Sequence, residues 1–263
     1  MRLIINNLAV YEFGNKDNPT VLLIHGFPFD YRMWEHQINA LQNDYFVIAY
    51  DCRGLGQSYV GDGQYTMEAY VNDLFSIMDG LNLNKVVLCG LSMGGYIALR
   101  AVEKQMHRFT ALILCDTKAS PDDDAAKIKR ADAINQINVD GLDQFVSSSV
   151  PNTLCAETIE NNQQILKTLI ARAKSQDPAG VKGAQYAILS RTSTEKFLKK
   201  IKIPTLVIVG QFDALTPPDI MRKMAGTIPN SQFAVVPKAG HMSPLENPDF
   251  VNNVIKEFLD KKK

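Results

Sequence analysis

One stretch constrains this chain more than any other: Val86-Val87-Leu88-Cys89-Gly90-Leu91-Ser92-Met93-Gly94-Gly95-Tyr96-Ile97-Ala98-Leu99. It opens as a short apolar run rich in β-branched residues, which reads as a buried strand. It closes with Ile97, Ala98, Leu99, Ala101 and Val102 at a spacing that fits a helix with a broad apolar face. Between the two lies a serine with a glycine two residues away on each side. That is the G-x-S-x-G pattern of a strand–turn–helix elbow, which holds a serine at a sharp, strained tip. Gly90 and Gly94 carry no Cβ, so strand and helix can close on each other. The helix that follows aims its N-terminal N–H groups at the serine.

The rest of the chain supplies the sheet that such an elbow needs. Leu3–Ile5 and Leu8–Phe13 read as two opening strands around an Asn6-Asn7 turn, forming a small antiparallel edge. Strands follow at Thr20–Ile24, Tyr45–Tyr50 and Ala111–Cys115, with helices between them. Asp30 is a helix N-cap before Met33, Trp34, Ile38 and Leu41, and Thr66 caps a helix running to Leu81. This alternation predicts a parallel sheet with right-handed crossovers, whose ligands sit at the carboxyl ends of the strands. From about Pro121 to Lys200 the alternation stops. Helical patterns replace it at Ala125–Asn138, Leu142–Ser149, Glu157–Lys174 and Pro178–Ser190. The expected organisation is an α/β core of residues 1–120 and 201–263, with a helical cap inserted at 121–200. The core resumes with strands at Pro204–Val209 and Gln232–Val236, and Asn247-Pro248 opens a last helix. The terminal Lys261-Lys262-Lys263 is expected in solvent at that helix's C-terminus.

Three residues at strand ends answer the chemical needs of Ser92. A serine hydroxyl is a weak nucleophile until an imidazole takes its proton, and the imidazole needs a carboxylate to hold its tautomer. Among four histidines, His36 and His107 fall at helices away from the strand-end edge. His25 is read as a structural histidine supporting the loop His25-Gly26-Phe27-Pro28. His241, after the last strand, is the candidate base. Asp213, after the penultimate strand, gives the order Ser…Asp…His that the elbow requires. Asp116, after Ala111–Cys115, is a rival acid at the same edge. Asp51 is read as tying down its own loop. An oxyanion hole would use the backbone N–H groups of Met93 and Phe27, since Pro28 has none.

Composition narrows the partners. Lys+Arg and Asp+Glu balance at 28 each, which gives no reason to expect a nucleic acid or an anionic membrane. No apolar run approaches a membrane span, and Met1–Asn7 is too short in apolar residues for a secretory leader. Cys52, Cys89, Cys115 and Cys155 are scattered, which favours free buried thiols over disulfides and offers no metal site. A cytoplasmic protein without metal or cofactor is the expectation. Asp122-Asp123-Asp124 ahead of Lys127, Lys129 and Arg130 is read as charge matched to a helix dipole. Phe145, Val146, Leu154, Ile165, Leu169, Tyr186 and Ile188 are candidates for pocket wall within the cap, each also suited to plain core.

Taken in order, His25-Gly26-Phe27-Pro28, Asp51-x-Arg53-Gly54-x-Gly56-x-Ser58, Gly90-Leu91-Ser92-Met93-Gly94-Gly95, Gly210-x-x-Asp213 and Gly240-His241 resemble the α/β-hydrolase superfamily over nearly the whole chain. The resemblance implies a mostly parallel eight-stranded sheet flanked by helices, a cap after the sixth strand, and Ser92, Asp213 and His241 as a triad. Within the superfamily the chain looks most like the 3-oxoadipate enol-lactonase, carboxylesterase and cofactor-free haloperoxidase branch. Dehalogenases and epoxide hydrolases carry aspartate at the elbow, where this chain has Ser92, and C–C hydrolases typically carry Asn where it has Leu91. The implied function is serine hydrolysis of a small carboxylic ester or lactone through an acyl-enzyme. Perhydrolase, haloperoxidase-type or acyltransferase chemistry at the same site, or a slow-turnover ligand receptor, are the alternatives.

Overall fold

A computed structural model describes residues 1–261. Its strands are β1 (Arg2–Ile5), β2 (Leu8–Phe13), β3 (Thr20–Ile24), β4 (Phe46–Tyr50), β5 (Val86–Leu91), β6 (Phe109–Cys115), β7 (Thr205–Gly210) and β8 (Ser231–Val236). They form one sheet in the order β1-β2-β4-β3-β5-β6-β7-β8. The β1–β2 and β2–β4 pairs are antiparallel and the others parallel.

Consecutive residues of a strand point to opposite faces. Yet every residue of β4, β5 and β7 is buried, so both faces of the sheet are covered. The covering helices are α1 (Glu35–Leu41), α2 (Met67–Gly80) and α3 (Met93–Gln105) early in the chain. Between β6 and β7 come α4 (Asp124–Val139), α5 (Leu142–Ser149), α6 (Ala156–Asn161), α7 (Gln163–Lys174), α8 (Pro178–Leu189) and α9 (Glu195–Leu198). Then α10 (Pro218–Thr227) follows β7, and α11 (Ser243–Glu246) and α12 (Pro248–Asp260) follow β8. Helix α2 packs on α3, and α1 on α12. Among the described residues no helix is long and apolar enough to cross a membrane.

Local chemistry sets the helix starts. Thr66 accepts a hydrogen bond from Ala69 N and begins α2, and Asn247 does the same for Phe250 N at α12. Two elements differ in kind from the sequence reading, beyond shifts of one or two residues at strand and helix ends. Asp30 caps not an α-helix but a 3-10 turn, Tyr31–Trp34, that leads into α1. The continuous pattern over 157–174 is two helices, because Asn162 leaves helical geometry at φ −136° and ψ 62°. Lys261 caps α12, while Lys262 and Lys263 lie outside the described residues.

The strand order positions everything that follows. From β3 the chain first adds β4 on one side, then returns to place β5 on the other. The loops leaving β3 and β5 therefore part across a switch point, where a crevice opens at the carboxyl edge. Those loops carry Phe27 and Ser92. The helical segment α4–α9 leaves β6 at this same carboxyl edge, and the chain then crosses back to enter the parallel β7 at its amino end.

Candidate active site

Ser92 sits between β5 and α3 with φ 52° and ψ −111°, a positive φ that L-residues rarely adopt. Its backbone is held from several sides. Ser92 N donates to Cys115 O at 2.9 Å, and Ser92 O accepts from Thr117 Oγ1 at 2.8 Å and Gly95 N at 2.9 Å. The flanking glycines are required by contact. A Cβ on Gly94 would overlap the Ile24 carbonyl, and one on Gly90 would overlap the Gly94 carbonyl.

His241 comes from the loop after β8. Its Nε2 lies 2.8 Å from Ser92 Oγ, and its Nδ1 lies 2.9 Å from Asp213 Oδ2. Asp213, after β7, is held in turn: Oδ1 accepts from Leu215 N at 2.8 Å and Thr216 N at 3.0 Å, and Oδ2 accepts from Thr216 Oγ1 at 2.5 Å. Burial alone would raise the Asp213 carboxyl. The adjacent imidazole and these hydrogen bonds outweigh it and hold the carboxyl below the usual carboxylate range. The structure thus brings Ser92, His241 and Asp213 into one hydrogen-bonded line.

The rival acid has other partners. Asp116 Oδ1 accepts from Gly210 N at 2.8 Å, and Oδ2 accepts from Ser243 Oγ at 2.6 Å. It ties the end of β7 to the segment just beyond His241, and no hydrogen bond joins it to the imidazole. Burial, reinforced by the Asp213 charge, pushes its carboxyl well above the usual value. Asp51 accepts from Tyr31 N, Gln57 N and Tyr11 Oη, so it anchors the loops around it. His25 is fully buried. Cys52 N donates to its Nε2 at 2.9 Å, which leaves the proton on Nδ1, 2.9 Å from Gly26 O. It stitches the loop after β3 to the loop after β4. His36 lies in α1, and His107 lies in a short turn at the other end of β6.

The loop that His25 supports lies against the serine. A Cβ on Gly26 would stand 3.5 Å from Ser92 Cβ. Among the described residues neither Phe27 N nor Met93 N has a hydrogen-bond acceptor. Phe27, Ser92 and His241 open into one cavity of about 470 Å³. Of the wall candidates, Phe145 and Ile188 line it, whereas Val146, Leu154 and Leu169 are buried core and Tyr186 is half exposed. Ile165 packs partly buried against the core.

Several holding groups carried no signal in the sequence. Glu246 Oε1 accepts from Gly240 N at 2.8 Å, while Oε2 accepts from Cys155 N at 2.8 Å and Thr158 Oγ1 at 2.7 Å. With His241 N donating to Thr153 O at 2.9 Å, the histidine loop is fastened to the helical segment. The acidic run at 122–124 also differs from its reading. Asp123 caps α4 through Ala126 N and Asp124 sits in the first turn, as a dipole match requires. Lys127, Lys129 and Arg130, however, lie in the same half of α4, where a cation gains nothing from the dipole. Asp122 is buried against Arg130, Arg191 and Lys118, with Arg191 Nη2 at 2.9 Å and Lys118 Nζ at 3.3 Å. Burial would raise its carboxyl, but Arg191 and Arg130 hold it well below the usual range. The four cysteines are free and buried.

Comparison with known proteins agrees with this architecture. The profile of the α/β hydrolase fold family matches residues 19–248. A 3-oxoadipate enol-lactonase of Acinetobacter baylyi is 30% identical over 256 residues, covering 96% of this chain and 92% of that protein. A crystal structure of a thermophilic esterase from Thermogutta terrifontis, with malate bound, superposes with a TM-score of 0.94 at 39% identity and covers 99% of this chain and 98% of that one. The enol-lactonase of Burkholderia xenovorans superposes with a TM-score of 0.91 at 25% identity, over 99% of this chain and 100% of its own. Sheet order, elbow and family profile lead to one conclusion: the chain belongs to the α/β-hydrolase family of enzymes.

Proposed function

We propose that this protein hydrolyses small carboxylic esters or lactones through an acyl-enzyme on Ser92. The observation that carries the reading is the line Ser92 Oγ–His241 Nε2 at 2.8 Å and His241 Nδ1–Asp213 Oδ2 at 2.9 Å. His241 Nε2 takes the Ser92 proton as Oγ attacks the carbonyl carbon. Asp213 holds the proton on Nδ1 and stabilises the imidazolium. The charge that develops on the carbonyl oxygen is met by the free amides of Phe27 and Met93. The leaving alkoxide takes the proton from Nε2, giving the free alcohol, or in a lactone the tethered hydroxyl or enol. Water then attacks the acyl carbon, giving its proton to His241. Ser92 Oγ leaves with that proton restored, and the acid is released.

The names of the relatives, esterase and enol-lactonase, support an ester or lactone as substrate. Residues 121–200, with helices α4–α9, act as a cap, and side chains of α4, α5 and α8 close the cavity above Ser92. The substrate is a small molecule that fits about 470 Å³, and the four buried thiols suit a reducing compartment such as the cytoplasm. The test is a panel of short p-nitrophenyl esters, alkyl esters and lactones with wild type and Ser92→Ala. Wild type turns over members of the panel. Ser92→Ala, folded by circular dichroism, loses about 10³-fold or more in kcat. Turnover by Ser92→Ala equal to wild type would sink the proposal.

A further inference from the structure

The cavity that holds Ser92 has a second chemical character. Lys118, Lys129 and Arg130 also line it, with Asp122 as the one acid among its lining residues. Lys118 lies just past the carboxyl end of β6, and the other two lie on α4. Behind this wall Arg191 is buried against Asp122 and stacks on the Tyr96 ring at 4.1 Å.

A structural ion pair needs one cation for one carboxylate. Here Lys118, Arg130 and Arg191 all reach Asp122, which leaves this group two positive charges over. Lys129 adds a third and has no ion-pair or hydrogen-bond partner among the described residues. Surplus charge on the wall of a cavity is costly in an empty site and favourable once an anion enters. The network also holds its donors in place. Arg130 Nε points to Asp122 and Nη1 donates to Gln185 Oε1 at 2.8 Å, which leaves Nη2 uncommitted. Ala133, Phe145, Val150 and Ile188 add apolar wall, beside the polar Ser149, Asn152, Thr153 and Gln185, and suit a short hydrocarbon link between the two ends of a substrate.

We propose that Lys118, Lys129 and Arg130 form a subsite for a carboxylate carried by the substrate, remote from the ester or lactone bond that Ser92 attacks. The favoured substrates are then monoesters or lactones of short dicarboxylic acids. This rests on the ester-hydrolase reading of Ser92. The free carboxylate takes no part in bond making or breaking. It holds the acyl chain between the cationic wall and the oxyanion amides, and so acts through binding and positioning.

The test compares mono-p-nitrophenyl glutarate with p-nitrophenyl pentanoate, a neutral substrate of similar length, and measures the binding of free glutarate by calorimetry. Wild type prefers the anionic ester in kcat/KM by about tenfold or more, chiefly through KM, and the preference shrinks as salt rises. Arg130→Gln and Lys129→Gln each lower the ratio of anionic to neutral kcat/KM by about tenfold and weaken glutarate binding by a similar factor. Lys129 is exposed at the mouth, so its variant keeps the test open if Arg130→Gln does not fold. A wild type that favours the neutral ester, or variants that lose equally on both esters, would overturn the subsite and leave the hydrolase reading standing. Turnover of neither ester would count against the hydrolase reading, and glutarate binding would still decide the subsite. Binding of inorganic phosphate but not of glutarate would overturn the assignment to carboxylates.

Discussion

Asp213→Asn tests the electrostatic logic of the site, because the structure dictates how the new amide must sit. Asp213 Oδ1 accepts two backbone N–H groups, from Leu215 and Thr216. An asparagine keeps both bonds only with its oxygen at that position. The amide NH₂ then replaces Oδ2, beside the Thr216 hydroxyl, which can turn to accept, and beside His241 Nδ1. Two donors cannot face each other, so Nδ1 must become an acceptor and the ring proton moves to Nε2. Nε2–H then donates to Ser92 Oγ, 2.8 Å away, and can no longer take its proton. The loss is about 10⁴-fold in kcat, or roughly 5.5 kcal/mol of barrier, with geometry nearly unchanged.

Asp116→Asn gives the contrast. The new amide keeps Gly210 N on its oxygen and offers Ser243 Oγ a donor, so both bonds survive and activity falls by less than about tenfold. Steady-state kinetics on a neutral p-nitrophenyl ester gives both numbers. Nitrogen-15 shifts of the His241 ring report the tautomer directly. A loss under about tenfold for Asp213→Asn, or an equal loss for Asp116→Asn, would refute this reasoning.

Two further outcomes follow from burial. Asp116 has its folded-state carboxyl raised above the ordinary value of about 4, so the stability it contributes is complete below that value and is lost as pH rises through the raised one. Asp116→Asn removes that loss. Its melting temperature relative to wild type therefore climbs from pH ~4 upward in a thermal-shift series, and a falling difference would mean Asp116 is held as a carboxylate. Gly94→Ala drives a Cβ into the Ile24 carbonyl, so the protein loses roughly 2–3 kcal/mol and serine reactivity together. A wild-type melting temperature would show that β5 and α3 do not need to meet so closely.

Much of this was legible in the sequence because it rests on local periodicity. Buried parallel strands such as Thr20–Ile24 read as unbroken apolar runs, and chain order together with a place at the strand-end edge separated His241 from three other histidines. What the sequence left open depends on contacts between distant segments. Asp116 and Asp213 both follow strands at the same edge, and only the position of Ser243 and Gly210 shows what occupies Asp116. Glu246 reaches Cys155 across 91 residues, and Asp122 meets Arg191 across 69. Neither pairing has a local pattern. The run Lys127–Arg130 shows a local rule giving way, since dipole matching accounts for Asp123 and Asp124 but not for cations in the same half of the helix. The break at Asn162 lies inside an amphipathic pattern that carries through both helices.

The central claim is that Ser92 is the nucleophile and His241 its base. Labelling with a small fluorophosphonate, followed by peptide mass spectrometry, measures this without any choice of substrate. The account predicts one phosphonyl group per chain, on the peptide that contains Ser92, at a rate about 10³-fold or more slower in His241→Ala. A wild type that stays unlabelled, or a Ser92→Ala variant that labels as fast as wild type, would contradict it.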